Sequence, residues 1–364
     1  MRIISRRMVA GVALLTLAVL GAACSTGDDA GSKTGGTTAA GAGKDPKDIK
    51  IAYVGAAQNL NFSTEMMEGA KYAGKEAGVD VNVVAPPAPD GQQEVSLFQQ
   101  AASTAKDGIA VMTLNPELFT RPAADAIAKG TPVIAVDVPL AADSGVKTLI
   151  SNDNLATGHM AADAALAQIP PDKKGKVVIG ISSPGVPVLE IRAKGMQEQL
   201  KAKNPNLQVI CCKDSKQAPD ENLKAWTNIV AANSDAVLFM DTGDPAAFNL
   251  PKIKQETGGK WTSVAFDLND AGLAALKAGQ SAAIIDPQHW LKGYIAVRLL
   301  IEKALGKRAT IPAGFWDSGA ATITKENVDD IIARQKSPEV KAAWYGRLVT
   351  EQFANIDSRM KPLA

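Results

Sequence analysis

The feature that most constrains the fold is a regular alternation of two kinds of segment from residue 49 onward. Short runs rich in β-branched residues alternate with longer segments of helical period. The predicted strands are 49–54, 79–85, 109–114, 132–138, 148–151, 176–182, 207–212, 236–240, 262–266 and 282–285. Strands that alternate with helices indicate parallel sheets covered by helices on both faces. Because these strands exceed one comfortable sheet, we predict an α/β fold with two doubly wound parallel-sheet lobes.

Composition agrees with such a body and excludes several functional classes. The chain has 364 residues, of which 46% are hydrophobic and 21% are charged. Its 39 basic and 38 acidic side chains nearly balance, and a net charge of +1 gives no attraction for nucleic acid or for an anionic membrane surface. Three cysteines are too few for a disulfide-stapled scaffold. We expect a monomer that does not bind nucleic acid.

The N-terminus predicts where the protein works. Three arginines within the first seven residues precede an apolar run over 8–23, which ends at Cys24. A positive start, a short apolar stretch and small residues before a cleavage point form a secretory signal, and this run is too short to span a bilayer comfortably. We predict a signal peptide over 1–23. Because residues 20–24 resemble a bacterial lipobox, we also predict that Cys24 carries lipid and anchors the exported protein to the outer face of the cell membrane. The alternative is a signal cut elsewhere, with Cys24 incidental.

After Cys24 the chain is rich in Ser, Gly, Thr and Ala and has almost no large apolar residue until about residue 48. Such a segment cannot bury a core. We predict a flexible, lipidated linker over 24–48 that holds the folded body off the membrane surface.

Polar residues follow the apolar strands directly. They are Asp137, Asp153, Asn154, Asp241, Asp267 and Asp286. In open α/β sheets, ligands bind beyond the carboxyl ends of the strands, whereas the alternative role for Asp and Asn there is helix capping. For Asn154, which precedes a predicted helix, both roles stay open. Asp137 is followed by Val138 and Pro139 rather than by a helix, so capping explains it poorly and we favour a ligand role.

Several short motifs together carry a family resemblance. They are the segments 51–54, 68–70, 132–137, 151–154, 265–267 and 285–288, with Asn59 and Phe62 between the first two. In this order they resemble ribose-type periplasmic sugar-binding proteins. The resemblance implies the type I periplasmic binding protein fold, with two lobes joined by three crossings near Asn154, Asp286 and 314–319. It also implies the substrate-binding component of a sugar ABC transporter.

The resemblance also suggests domain boundaries and site residues. The N-terminal lobe is expected over 49–154 plus 288–314, and the C-terminal lobe with a helical tail over 155–286 plus 315–364. The expected ligand-binding residues are Asn59, Phe62, Asp137, Asn154, Glu190, Asp241, Asp267, Asp286, Gln288 and Trp290. We expect no cofactor, no metal and no catalytic residue.

Departures from the family pattern shape the expected ligand. Val138 and Glu190 stand where the family commonly has arginines. We therefore expect a strongly acidic cleft that closes on a neutral sugar or polyol, with an amino sugar or another cationic ligand as the alternative. Carboxylates crowded in a dry site oppose ionisation and repel anions. We accordingly expect no binding of sugar phosphates or sugar acids.

Other functional classes fit poorly. Residues 180–184 nearly form a nucleophile elbow, but Pro184 occupies the last glycine position. A repressor with the same two-lobed body would need a helix-turn-helix module on the N-terminal side of that body. This chain has a predicted signal and linker there instead. The sequence cannot separate delivery to an ABC permease from presentation of the ligand to a membrane signalling receptor.

Two features remain outside this scheme. Cys211 and Cys212 are adjacent, and we favour two thiols on opposite faces of a strand over a vicinal disulfide. The C-terminus continues as a helical segment, through Trp344 to about Phe353, for which we predict packing on a lobe but no role.

Overall fold

The computed structural model describes residues 43–356 and 359–363. These residues form two β-sheets with helices around them, which confirms the prediction of two parallel-sheet α/β lobes. The predicted signal peptide, Cys24 and most of the predicted linker lie outside the described residues. None of the helices in the described ranges is both long enough and apolar enough to cross a membrane.

The first lobe is built on a sheet whose strands pair in parallel except at one edge. In spatial order they are β2 (Val81–Val84), β1 (Ile51–Val54), β3 (Gly108–Val111), β4 (Val133–Val136), β5 (Thr148–Ser151), β11 (Gly314–Asp317) and β13 (Met360–Lys361), the last antiparallel. Its helices are α1 (Asn61–Ala77), α2 (Gly91–Thr104), α3 (Thr120–Ala128), α9 (His289–Ala304) and α11 (Pro338–Ala354). The central strands β1, β3 and β4 are buried along their whole length, as their apolar sequences predict.

The second lobe repeats this plan. Its strands, in spatial order, are β7 (Leu207–Asp214), β6 (Gly175–Ile181), β8 (Ala236–Asp241), β9 (Thr262–Phe266), β10 (Ala283–Asp286) and the antiparallel β12 (Ala321–Ile323). Its helices are α4 (Asn154–Leu166), α5 (Pro187–Lys203), α6 (Pro219–Ala232), α7 (Ala246–Thr257), α8 (Asp270–Lys277) and α10 (Val328–Arg334).

The chain passes between the lobes at 151–154, 286–289 and 317–321, and once more at 335–337, between α10 and α11. The sequence analysis assigned all of 315–364 to the second lobe. The structure instead places β11, α11 and β13 on the first lobe, because β11 pairs with β5 and β13 pairs with β11.

Two glycines let α1 and α9 pack closely in the first lobe. A Cβ added to Gly69 would lie 1.9 Å from the carbonyl oxygen of Trp290, and one added to Gly293 would lie 1.9 Å from that of Met66. Both glycines are helical, so the reason for them is this close approach of two backbones rather than a turn. The contact holds α9 in place, and α9 supplies part of the site described below.

Cys211 and Cys212 form a disulfide, in place of the two thiols that the sequence analysis favoured. They lie on β7, the edge strand of the second sheet. There the register with β6 shifts, so that Val178 pairs with Ile210 but Gly180 pairs with Lys213. The regular alternation of side chains between two faces holds only for an undisturbed strand, and this irregularity removes the basis for that expectation.

Candidate functional site

The two lobes present an aspartate at matching positions. Asp137 follows β4 and donates its N–H to Ile150 on the next strand, and Asp267 follows β9 and donates its N–H to Ile285 on the next strand. Both take the left-handed backbone conformation, with φ of 64° and 67°. Asp adopts this conformation more readily than most residues. It turns the chain sharply at the end of each strand, and both side chains line one cavity between the lobes.

That cavity is small and has walls from both lobes. Its volume is about 20 Å³. The lining residues are Phe62, Met112, Leu114, Asp137 and Val138 from the first lobe, His289 from α9, and Val186, Val188, Leu189, Arg192, Gln217, Gly243 and Asp267 from the second lobe. The lobes also touch directly beside it, where the amide of Asn61 donates to the carbonyl oxygen of Leu268.

A chain of charged and polar groups runs from one aspartate to the other. Nε2 of His289 lies 2.7 Å from the Asp267 carboxylate, and Nδ1 of His289 lies 3.3 Å from Nζ of Lys292. Lys292 in turn pairs with Asp137. Because His289 and Lys292 are one helical turn apart at the start of α9, this helix supplies both middle members of the chain.

Electrostatics keep Asp137 ionised in this buried place. Burial alone would raise its pKa, but Lys292, His289 and Arg192 together outweigh burial and lower the pKa to about 2. Burial has the opposite effect on the Lys292 ammonium and lowers its pKa, against the attraction of Asp137. The carboxylate and the ammonium therefore stabilise each other in the charged form.

Arg192 brings a second positive charge to the cavity. Its side chain is 2% exposed, its Nε donates to Oδ1 of Asn154 at 3.0 Å, and its Nη1 donates to the carbonyl oxygen of Thr242 at 3.1 Å. Its guanidinium carbon lies 4.5 Å from the centre of the Phe266 ring. Among the described residues, neither Nη2 of Arg192 nor Nε2 of Gln217 has a hydrogen-bond partner. Two buried donors thus remain available to an acceptor in the cavity.

These cations overturn the expectation of a strongly acidic cleft. The carboxylates of Asp137 and Asp267 are matched by the cations of Arg192 and Lys292, so the cavity is not strongly acidic. Glu190, expected in the site, is exposed on α5 and accepts the N–H of Gly185 at 3.0 Å. It lies outside the cavity because the buried face of α5 carries Leu189 and Arg192 on either side of it.

Two other expected carboxylates are buried but already have partners. Asp241 accepts from Nε1 of Trp226 at 2.7 Å and from the N–H of Gly243 at 2.9 Å, and burial raises its pKa to about 6. Asp286 accepts from Arg334 at 2.8 Å and from the N–H of Gln288 at 2.8 Å. Neither carboxylate lines the cavity, so both serve the internal packing of the protein.

Of the remaining expected residues, one lines the cavity and the others do not. Phe62 lines the cavity, with its ring centre 5.7 Å from that of His289. Trp290 does not, because its ring is stacked between Tyr294 and Tyr345 in the core. Asn59 is exposed. Gln288 is half-buried beside the cavity wall and has a left-handed φ of 56°. Asn154 contributes indirectly, since it holds Arg192.

The sequence analysis missed Arg192, Gln217, His289 and Lys292. A signal for two of them was available. Arg192 follows Val188 and Leu189 at helical spacing, so it shares their apolar face, and Lys292 interrupts an apolar helix over 290–301. A charge on an apolar helical face is almost never buried without a partner, and so indicates an internal ion pair or a site. No group of three or more His, Cys, Asp or Glu within the described ranges could hold a metal ion.

Comparison with known proteins agrees with this geometry. Residues 51–308 match the periplasmic binding protein domain family. The ribose import binding protein RbsB of Haemophilus influenzae is 28% identical over 193 residues, which are 52% of this chain and 64% of that protein. The match thus spans less than two thirds of that relative.

Solved structures are similar over most of their length. A solute-binding protein of an ABC transporter from Burkholderia graminis, in complex with D-arabinose, has a TM-score of 0.71 and 24% identity, and the match covers 78% of this chain and 98% of that one. A carbohydrate transporter solute-binding protein from Agrobacterium radiobacter, also in complex with D-arabinose, has a TM-score of 0.70 and 25% identity, with 81% and 98% covered.

These relatives bind solutes for transporters, which confirms the prediction of a binding protein rather than an enzyme. The resemblance to ribose-type sugar-binding proteins is confirmed as well. Because the family match covers well over half of its residues, the chain belongs to the periplasmic binding protein domain family.

Proposed function

We propose that this protein is an exported receptor that closes its two lobes on a sugar or polyol and delivers it to an ABC importer. The observation that carries this proposal is the pair Asp137 and Asp267, presented by the two lobes into one cavity. The names of the relatives support the ligand class, since they include a ribose import binding protein and two structures in complex with D-arabinose.

The cavity suits a ligand rich in hydroxyl groups. Each hydroxyl both donates and accepts a hydrogen bond. Carboxylates such as Asp137 and Asp267 accept from hydroxyls, and the unpartnered nitrogens of Arg192 and Gln217 donate to them. The ring of Phe62 offers an apolar surface for the C–H groups of a sugar. One ligand can therefore satisfy groups on both lobes at once.

The balance of charge favours a neutral ligand over an amine. Lys292 already neutralises Asp137, so an amino sugar has less to gain in this cavity than an acidic cleft would offer. The same balance removes the physical reason for excluding sugar acids, because Arg192 keeps one free donor. We rank neutral pentoses, hexoses and polyols first, sugar acids second and amino sugars third.

Binding requires the lobes to move. A cavity of about 20 Å³ has room for about one water molecule, which needs about 10–15 Å³ by the same measure, and none for a sugar. A sugar therefore enters only when the lobes separate at their crossings. Its bonds to both lobes then favour the shut form, which is the form we propose the importer receives.

A thermal-shift screen of the exported body against sugars, polyols, sugar acids and amino sugars tests the ligand class. A ligand at 100 times its Kd adds about 2.7 kcal/mol of stability. We expect a neutral sugar or polyol to give the largest shift. Stabilisation by amino sugars alone, or by none of these compounds, would contradict the proposal.

We also propose that Cys24 carries lipid and tethers the protein through the segment 24–48, which is our reading of the N-terminal sequence. A diacylglycerol group carries two acyl chains, and two chains give a stable anchor where one gives only marginal, reversible binding. The test compares Cys24→Ala with the natural chain after fractionation without detergent. Release of the variant into the soluble fraction supports the anchor, whereas equal retention in the membrane contradicts it.

A further inference from the structure

The C-terminal tail, defined here as residues 324–363, lies beyond the residues matched to the family. It contains α10, α11 and β13. Nothing in the proposed binding site uses it, yet it holds some of the most buried charges of the described chain, including Arg334 at 2% exposure and Lys341 at 7%. Charges buried to this degree need partners, and the partners of the tail lie on both lobes.

The first helix of the tail is fixed to the second lobe. Val328 and Ile331 of α10 belong to the apolar cluster that contains Leu273 and Ile284. Asp329 pairs with Lys277 of α8 at 2.6 Å. Arg334, at the end of α10, pairs with Asp286 at the end of β10 at 2.8 Å. This ion pair is buried on both sides, so it holds α10 firmly to the strand that leads into a crossing.

The second helix of the tail is fixed to the first lobe. Lys341 of α11 pairs with Glu68 at 2.7 Å and with Glu65 at 3.4 Å, both on α1. Tyr345 stacks on Trp290 with ring centres 5.2 Å apart and planes 5° from parallel. Further along, Gln352 accepts from Nε1 of Trp316 at 2.8 Å, and β13 then joins the first sheet.

The short link between the two helices is also a point of contact between the lobes. Gln335 follows α10 and donates to Glu65 of α1 at 2.6 Å. The Arg334 guanidinium lies 5.1 Å from the centre of the Tyr345 ring, so α10 and α11 also touch each other. Only residues 335–337 separate the two helices. A linker of that length spans at most about 14 Å between the flanking helical residues.

We propose that the tail is an interlobe clamp: α10 on the second lobe and α11 on the first, joined by a link too short to let the lobes separate widely. This fourth connection differs from the three other crossings because ion pairs and stacked rings anchor the helix on each side of it. Its effect is to restrict opening and to favour a nearly shut form before any ligand binds. The clamp rests on the lobe movement in the proposed function, but it does not depend on which ligand binds.

The test lengthens the link and measures lobe separation without ligand. One variant carries Gly-Ser-Gly-Ser inserted after Lys336, and its control carries the same insertion after Gly258, a turn within the second lobe with open space around it. Fluorescent non-natural residues at the exposed positions Ser103 on α2 and Lys224 on α6 report the interlobe distance. Four added residues allow up to about 14 Å of further separation.

We expect longer and more broadly distributed distances in the Lys336 insertion and unchanged distances in the Gly258 insertion. Gln335→Ala, which removes one contact with Glu65 and leaves the chain length unchanged, should shift the distances in the same direction by a smaller amount. A folded Lys336 insertion with the natural distance distribution overturns the clamp. If that variant does not fold, unchanged distances in Gln335→Ala overturn it. A ligand screen that finds no sugar bears on the proposed function alone, since these measurements contain no ligand.

Discussion

The ammonium of Lys292 and the carboxylate of Asp137 pair inside the protein, where they are 0% and 4% exposed. Asp137 ends the strand β4 and Lys292 lies in the first turn of α9, so the pair ties the helix to the sheet at the wall of the cavity. Removing one member of a buried pair leaves the other charge without compensation. Such a loss costs about 3–5 kcal/mol.

The first prediction follows from this pair. Asp137→Ala should lower the free energy of unfolding by about 3–5 kcal/mol, because Lys292 stays buried without its partner. Urea denaturation of the ligand-free protein measures the loss. Asp214→Ala is the control, since Asp214 pairs with Lys216 at an exposed site, where solvent screening leaves an ion pair with little effect on stability. Equal losses of unfolding free energy in the two variants would show that the buried pair contributes no more to stability than the exposed one.

The second prediction separates a carboxylate inside the cavity from one outside it. Asp267→Asn should weaken sugar binding by about 1.5–3 kcal/mol, the range for a hydrogen bond to a charged group. Glu190→Gln should leave affinity unchanged, because Glu190 is exposed and outside the cavity. Isothermal titration with the sugar found in the thermal-shift screen measures both. If only Glu190→Gln lost binding, the ligand site would include Glu190, as the family resemblance suggested, and the cavity described here would not be the site.

The third prediction concerns pH and Asp244. This carboxyl accepts from Asn269 at 2.6 Å, and burial, followed by the nearby Asp267 and Glu65, raises its pKa from 3.8 to about 7. The folded state therefore binds a proton that the unfolded state releases at lower pH. The resulting stability is fully present below about pH 3.8 and is lost as the pH rises through 7.

Asp244→Asn should accordingly match the natural protein in unfolding free energy near pH 4 and exceed it by about 2–4 kcal/mol at pH 8. Denaturation across this pH range measures the difference. Asp172→Asn, at an exposed position, should show a constant difference from the natural protein at every pH. A constant difference for Asp244→Asn as well would mean that Asp244 is ionised throughout.

The fourth prediction concerns the contact between α1 and α9. Gly69→Ala should destabilise the protein by about 1–3 kcal/mol or more, because the new methyl group meets the Trp290 backbone at 1.9 Å. Gly346→Ala is the matched control within a helix. A Cβ at position 346 meets nothing within 4 Å. The substitution should therefore raise the free energy of unfolding, by about 1 kcal/mol at most, through helix propensity. Thermal unfolding of both variants measures the two effects. An unchanged stability in Gly69→Ala would contradict the close packing of α1 and α9.

The fold could be predicted because it depends on local periodicity. The strand predicted over 148–151 is β5 itself, and the strand predicted over 132–138 contains the shorter β4, since a buried parallel strand requires a short apolar segment bounded by polar residues. The assignment of β11 and β13 to the first lobe could not be predicted in this way. Their partners are set by the path of the whole chain rather than by their own few residues.

The site was harder to predict because strand-end carboxylates look alike in sequence. Asp241 and Asp286 follow strands just as Asp137 and Asp267 do, but their partners Trp226 and Arg334 lie 15 and 48 residues away along the chain. Whether a carboxylate is free to meet a ligand depends on such distant groups. Trp290 shows the same limit, since the ring that covers it belongs to Tyr345 in the last helix.

The two-residue strand β13 has a consequence for how copies of this protein behave beside one another. It pairs Lys361 with Phe315 and Met360 with Trp316, and so covers the outer backbone of β11. An uncovered edge presents free N–H and C=O groups to any neighbouring strand. Loss of the last few residues, through proteolysis or an early stop, would uncover β11 and favour edge-to-edge self-association that grows with concentration.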